Sequence, residues 1–178
     1  MQLRAYLKAN RPFKIKQGHF TTAYLYHEQG KVILESRCYI KECMALGWFP
    51  DSELFPSIKF ADIEDEVNTE FRVYEMPLYV HGQSVKRNVC KEDYEGIYVL
   101  LRKIRYVSNY ADFEQQLITV GVSKEVKEDL LEAYEACTNY GSDVGWEISP
   151  RNVAATSDGK LILLDCFYIK SQLRRSKR

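Results

Sequence analysis

The sequence predicts an α+β fold of two layers or lobes, with strands first and helices after them. Three observations carry that expectation. Short β-branched and aromatic runs, punctuated by turn residues, fill the first 80 positions. Helical periodicity begins near residue 91, and an apolar pair of runs around "SDG" ends the pattern in a small hairpin. With 178 residues the chain has material for one domain with a real core, which the pattern divides into 1–80 and 81–178.

Taken in order, "PFKIKQ" (12–17), "TTAYLYHE" (21–28) and "KVILES" (31–36) read as strands separated by "GHF" and "QG" turns. "RCYIKECMALGWF" (37–49) sets Cys38, Ile40, Met44 and Leu46 at mixed helical spacing and predicts a short helix ending near Gly47. "PSIKFADI" (56–63) and "FRVYEMPLYV" (71–80) predict a hairpin around the acidic turn "EDEVNTE", making five strands with one helix inserted after the third. "KEDYEGIYVLLRKIRYVSN" (91–109) is periodic through Tyr94, Ile97, Leu100, Leu101 and Ile104 and predicts one helix. "VSKEVKEDLLEAYEACTNYG" (122–141) predicts another, with Ser123 as N-cap, Gly141 as C-cap and a stripe of Leu130, Leu131, Tyr134 and Cys137. "GWEISPRNVAATSDGKLILLDCFY" (145–168) reads as loop, strand, turn and strand, with Gly159 free to take a positive φ and "LILLD" as a buried strand. Trp48 and Trp146 read as core anchors.

Composition narrows the function. Formal net charge is zero, so global charge gives no argument for a nucleic-acid partner. The basic end "KSQLRRSKR" (170–178) reads as a solvated, frayed terminus rather than a binding patch. Five scattered cysteines without a C-x-x-C pair predict neither a zinc site nor a disulfide framework. No stretch reaches the ~20 apolar residues of a membrane span and the N-terminus has no signal-peptide pattern, so a cytoplasmic protein without a membrane partner is expected. His19, His27 and His81 read as surface or loop residues.

The chemistry concentrates in the last segment. Glu147 lies five residues before Asn152, and Asp165 stands at the exit of an apolar strand. Singly, each reads as a turn or capping residue. Together they put three oxygen-bearing side chains at one end of a hairpin, an arrangement suited to a hard cation and phosphates.

In order and separation, "QGHFTTAY" (17–24), "RVYEMPLY" (72–79), "EISPRN" (147–152) and "LLDCF" (163–167) resemble the protein-kinase-like fold, and in particular the short early Ser/Thr protein kinases of bacteriophages. The resemblance implies a single kinase-like domain over 1–178. Its N-lobe would be a five-stranded antiparallel sheet plus one helix, and its C-lobe helical, minimal and truncated. It implies ATP and Mg²⁺ as cofactors, with Gly18, His19 and Phe20 at the phosphates and Glu75 and Met76 in the strand and hinge that meet adenine. Asn152 and Asp165 would hold the metal, and Glu147 would stand where a catalytic aspartate orients or deprotonates the acceptor hydroxyl. The partner would be a protein substrate or a host protein, in the host cytoplasm.

This sequence departs from that pattern. Leu34 or Glu35 fills the slot of the strand lysine, with Lys31, Arg37 and Lys41 as the nearest substitutes and Glu42 as the candidate helix glutamate. Lys16 and Thr21 replace two loop glycines, Gly145 replaces a histidine, and Cys166-Phe167 replaces F-G. With thirteen residues after Asp165, the usual activation segment and distal helices are not expected. The departures favour an alternative, a catalytically degraded pseudokinase acting as a binding or inhibitory module on a host protein. Phosphorylation of a small molecule is a third reading, for which a short C-lobe leaves little room.

Overall fold

Val32, Ile33 and Leu34 form a continuous apolar run because their strand lies at the centre of a sheet and packs on both faces. The computed structural model, which describes residues 1–64, 70–81 and 84–175, is an α+β structure. Strands β1 (Lys14–Gln17), β2 (Thr21–Tyr26), β3 (Lys31–Ser36), β4 (Lys59–Phe60) and β5 (Arg72–Pro77) form one antiparallel sheet in the order β1-β2-β3-β5-β4. Helix α2 (Tyr39–Ala45) follows the third strand and ends before Gly47, buries Ile40, Cys43 and Met44, and packs against β4 and β5. The acidic turn expected at 64–70 lies, for residues 65–69, outside the described residues.

The sequence reading did not anticipate α1 (Leu3–Ala9). Leu3, Tyr6 and Leu7 stand at i, i+3 and i+4, so one face of this short helix is apolar. Leu3 and Tyr6 are buried with Tyr26, Ile33, Ile63 and Val73, and Leu7 packs against them. The Tyr6 and Tyr26 rings meet edge to face at 5.9 Å, and the Tyr26 hydroxyl donates to the Asn10 carbonyl at 3.0 Å. The edge strand β1 is exposed throughout, and its two lysines make it a poor template for further pairing.

The chain divides into two compact units, Met1–Gly47 with Ser57–Leu78, and Trp48–Pro56 with Tyr79–Arg178. The segment 48–56, which the sequence groups with the first 80 residues, therefore belongs to the second unit. Its reasons are specific: Phe49 packs on Phe55 and Phe167, the Leu163 amide donates to the Leu54 carbonyl at 2.8 Å, and the Ser52 hydroxyl bonds the Asp129 carboxylate. Trp48 itself is 44% exposed beside Tyr140, so only Trp146, at 6%, is a core anchor.

In the second unit α3 (Val85–Asn88) precedes a helical stretch from 91 to 101, made of α4 (Lys91–Asp93), a π-helical turn (Tyr94–Tyr98) and α5 (Val99–Leu101). The helix expected over 91–109 thus stops early, and a separate α6 (Tyr110–Val120) follows. Asn109 caps α6 by accepting the Asp112 amide at 3.0 Å, and Gly121 closes it with its N–H on the Leu117 and Ile118 carbonyls. Helix α7 (Lys124–Cys137) begins at Ser123, whose hydroxyl accepts the Val126 amide. A 3₁₀ turn (Thr138–Tyr140) carries the chain on to Gly141. Two short ladders follow: β6 (Val144–Trp146) pairs with β9 (Phe167–Ile169), and β7 (Val153–Ala155) pairs with β8 (Leu161–Leu163) across a turn in which Gly159 has φ 88°. Where a loop was expected at 145–146, the structure has β6. The expected frayed terminus is likewise corrected over 170–175. There α8 (Lys170–Arg175) is tied down by Ser171 and Arg174 on Asp143, while 176–178 lie outside the described residues.

The core of this unit is aromatic. Phe113 stacks on Tyr134 at 5.3 Å and packs on Trp146 at 5.2 Å, and Phe167 meets Trp146 at 5.2 Å and Phe113 at 5.8 Å. The five cysteines are free thiols, and among the described residues no helix is long and apolar enough to cross a membrane.

Two measurements check this packing. Phe113→Ala is expected to cost about 3–5 kcal/mol, read by urea denaturation, because a fully buried ring leaves a cavity that its neighbours cannot fill. Glu75 gives a second handle. Burial alone would push its carboxyl up, but hydrogen bonds and charge from Lys31 and Lys59, each at 3.2 Å, hold it below its ordinary value near 4.5. A depressed folded value contributes stability above pH ~4.5 that is lost as pH falls through the folded value. Glu75→Gln should therefore flatten the acid limb of stability against pH, followed by circular dichroism.

Candidate functional site

The β6–β9 ladder places the first carboxylate. Trp146 pairs with Phe167, and one step further the Glu147 amide donates to the Cys166 carbonyl at 2.9 Å. The chain then turns: Pro150 occupies the second position of a turn closed by the Asn152 amide on the Ser149 carbonyl at 3.0 Å. Beyond the turn, Val153 opposite Leu163 begins the β7–β8 ladder. The Asn152 carbonyl, one residue outside it, accepts from both the Leu164 amide at 2.8 Å and the Asp165 amide at 3.2 Å. Backbone bonds thus bring Asn152 onto Asp165 and Glu147 onto the residue after it. Glu147 is exposed, while Asn152 and Asp165 are half-buried. Cys166, in the place of a phenylalanine in the kinase pattern, is buried with its sulfur 3.9 Å from the Asn152 carbonyl.

This donor set is all oxygen. Among the described residues no group of three or more His, Cys, Asp or Glu side chains could hold a metal ion. Mg²⁺ takes one or two protein oxygens and completes its shell with water and phosphate oxygens, and an amide oxygen with a carboxylate is that type of donor pair.

In the first unit, Gly18, His19 and Phe20 form the tight connection between β1 and β2. The Gly18 amide donates to the Thr21 carbonyl at 2.8 Å, and a Cβ on Gly18 would stand 3.3 Å from that oxygen. The Phe20 carbonyl accepts from the Arg37 amide and the Ser36 hydroxyl, both at 3.1 Å, which pins the loop to the end of β3. The Thr21 and Ser36 hydroxyls share a 2.6 Å hydrogen bond. The His19 ring packs edge-on against Phe20, and the Arg37 guanidinium lies 5.8 Å from the Phe20 ring.

Glu75 and Met76, expected in the strand and hinge, lie in β5. Met76 pairs with Val32, Glu75 bridges Lys31 and Lys59, and the strand runs on to Pro77. The strand-lysine slot is apolar. Leu34 is 3% exposed between Ala23 and Tyr74, and Glu35 accepts from the Tyr24 hydroxyl at 2.8 Å. Of the substitutes, Lys31 is held by Glu75, and Arg37 lies 3.8 Å from Glu70. Lys41 on α2 is 6% exposed and, with Ser36 at 0%, is one of two buried polar or charged residues among the described residues.

Sequence reasoning missed a cationic cleft in the second unit. A cavity of about 270 Å³ is lined by Arg102, Arg105, Tyr106, Trp146, Glu147 and Lys170, among others. Its signals were "LRKIRY" (101–106), read as part of a helix, and Lys170, read as part of a frayed end. Tyr168 also borders it. Burial, with help from the charge of Glu147, raises the Tyr168 hydroxyl above its ordinary pKa.

The Tyr168 ring also explains Gly145, the residue in the place of a histidine. Gly145 pairs with Tyr168, and a Cβ there would lie 2.4 Å from the tyrosine Cζ. No family model, curated protein or solved structure matches this chain. Gly145→Ala should lower stability by about 1–3 kcal/mol through this overlap. Combining it with Tyr168→Ala should cost less than the sum of the two single changes, a coupling that a denaturation double-mutant cycle reads directly.

Proposed function

We propose that the chain is a reduced protein-kinase-like phosphotransferase that moves a phosphoryl group from Mg-ATP to a protein hydroxyl. The observation that carries this reading is the paired acceptance of the Leu164 and Asp165 amides by the Asn152 carbonyl, with Glu147 anchored to Cys166 beside it. Phosphoryl transfer asks a protein mainly for positioning and charge neutralisation, and these residues supply both. Asn152 and Asp165 would hold the metal, which would supply charge neutralisation at the phosphates. Glu147 orients the acceptor hydroxyl and takes its proton as that oxygen gains the phosphoryl group and ADP departs. By the resemblance the Gly18–Phe20 loop of the first unit corresponds to a phosphate loop, and Lys31, Arg37 and Lys41 are the cations nearest in sequence to the missing strand lysine. In this reading the five-stranded sheet with α2 is the N-lobe and the helical unit is a reduced C-lobe. Glu75 and Met76 lie on the strand leading toward the adenine. The likeness of "GHFTTAY", "EISPRN" and "LLDCF" to the short early kinases of bacteriophages supports it, and points to a protein target in a host cytoplasm.

One observation favours the second reading, a pseudokinase that binds a host protein. Leu34 is buried in the sheet where a phosphate-pairing lysine would stand, so the nucleotide loses a fixed positive charge.

Calorimetric titration with ATP, with and without Mg²⁺, separates the two. Mg-dependent binding that disappears in Asp165→Ala is the expected result. Glu147→Gln should keep that binding and lower the rate of transfer to protein by about 10²–10⁴-fold, the usual contribution of a general base. No binding at millimolar ATP would end the enzyme reading and leave the binding module.

A further inference from the structure

We infer that the cleft beside Glu147 docks an acidic polypeptide segment, one that carries Asp, Glu or phosphorylated side chains next to the acceptor hydroxyl. Its link to catalysis rests on the phosphotransferase reading, whereas the docking itself does not. Three cations, Arg102, Arg105 and Lys170, line the cleft with one carboxylate, Glu147. No carboxylate among the described residues forms a salt bridge with any of the three cations. Asp112 acts on the charge of Lys170 from nearby, which leaves the two guanidinium groups as the main cationic partners for a ligand.

The cleft wall is built in advance. After α5, Ile104 and Val107 turn into the core at 5% and 1% exposure, which turns Arg105 and Tyr106 outward. Gln116 on α6 clamps that segment from both sides: its carbonyl oxygen accepts the Arg105 amide at 3.1 Å, and its amide nitrogen donates to the Tyr106 carbonyl at 3.0 Å. Lys170 completes the wall by donating to the Val107 carbonyl at 2.8 Å, with its ammonium 4.7 Å from the centre of the Tyr106 ring. Holding the cations in place beforehand lowers the ordering cost of docking.

The same geometry selects the ligand. An acidic side chain reaches the arginines through charge-assisted hydrogen bonds, which guanidinium groups make in pairs. A nucleic-acid strand is a poorer fit, because Glu147 opposes a continuous phosphate backbone and Lys170 already lies against the Tyr106 ring where a base would stack.

Fluorescence anisotropy on the full chain tests this without ATP. The probes are a labelled peptide with glutamates flanking one serine, its glutamine isostere, and an oligouridylate. The acidic peptide should bind at least about tenfold more tightly than the isostere, and Arg102→Gln with Arg105→Gln should remove that margin. Arg102→Glu with Arg105→Glu should reverse the preference toward a lysine-flanked peptide, an outcome that misfolding does not produce. Equal binding of acidic and neutral peptides, no binding of either, or a margin untouched by the arginine variants overturns the inference. Tighter binding of the oligouridylate also overturns it, in favour of a nucleic acid. Phosphate transfer to the same peptides then separates the two readings: selective binding without transfer keeps the cleft and ends the kinase assignment.

Discussion

The contact between Trp146 and Phe167 across the β6–β9 ladder is the constraint on which the second unit depends. Both rings belong to the cluster built on Phe113 and Tyr134, and that burial fixes which residues of the two short strands face inward. Side chains alternate along a strand, so turning Trp146 in turns Glu147 out. A slip of one residue would bury a carboxylate and expose an indole, which the desolvation cost of an unpaired charge forbids. Glu147 owes its exposed position to its neighbour's burial. The β7–β8 ladder then adds Asn152 and Asp165 through two amides on one carbonyl.

The first unit answers a different problem. Its sheet buries Ile33 and Val73 under α1 and keeps its charges in pairs at the margin, with Glu75 between Lys31 and Lys59. An apolar Leu34 stabilises the central strand where a kinase keeps a lysine. A buried leucine there is worth about 1.5–3 kcal/mol to folding, whereas a lysine would bring a desolvation cost that only a paired anion offsets. An apolar residue at this position is thus stabilising for the sheet.

How much of this was legible in the sequence follows from the range of each interaction. Strands β1 to β3, helix α2 and the start of α7 at Ser123 are written in local patterns, and the structure keeps them. Helix α1 escaped because Leu3, Tyr6 and Leu7 make one short face that only the sheet stabilises. Helix α6 escaped because the apolar period of 91–109 was carried through Asn109, which is a cap and not an interior residue. Strand β6 has no local signature, since Gly145 and Trp146 become a strand only by pairing with Tyr168 and Phe167. Trp48 misled for the opposite reason: its size suggested the core, yet its neighbour Phe49 takes that place. The backbone pairing of Asn152 with Asp165 was readable because a hairpin is local. The cationic cleft was not, because Lys170 and Arg105 meet only through the tertiary fold.

What sets the cleft apart from an ordinary charged surface is how its lysine is held. Surface cations are commonly matched by nearby carboxylates, and such pairs contribute little to stability, typically about 0–1 kcal/mol. Lys170 is fixed instead by a neutral carbonyl and a ring, with the Asp112 carboxylate acting on its charge without a direct salt bridge. Gln116 does the same for the backbone of Arg105 and Tyr106 with an amide that carries no charge. The Gln116 amide also donates to the Asp112 carboxylate at 3.1 Å, so the Arg105 backbone is held in register without drawing on its guanidinium.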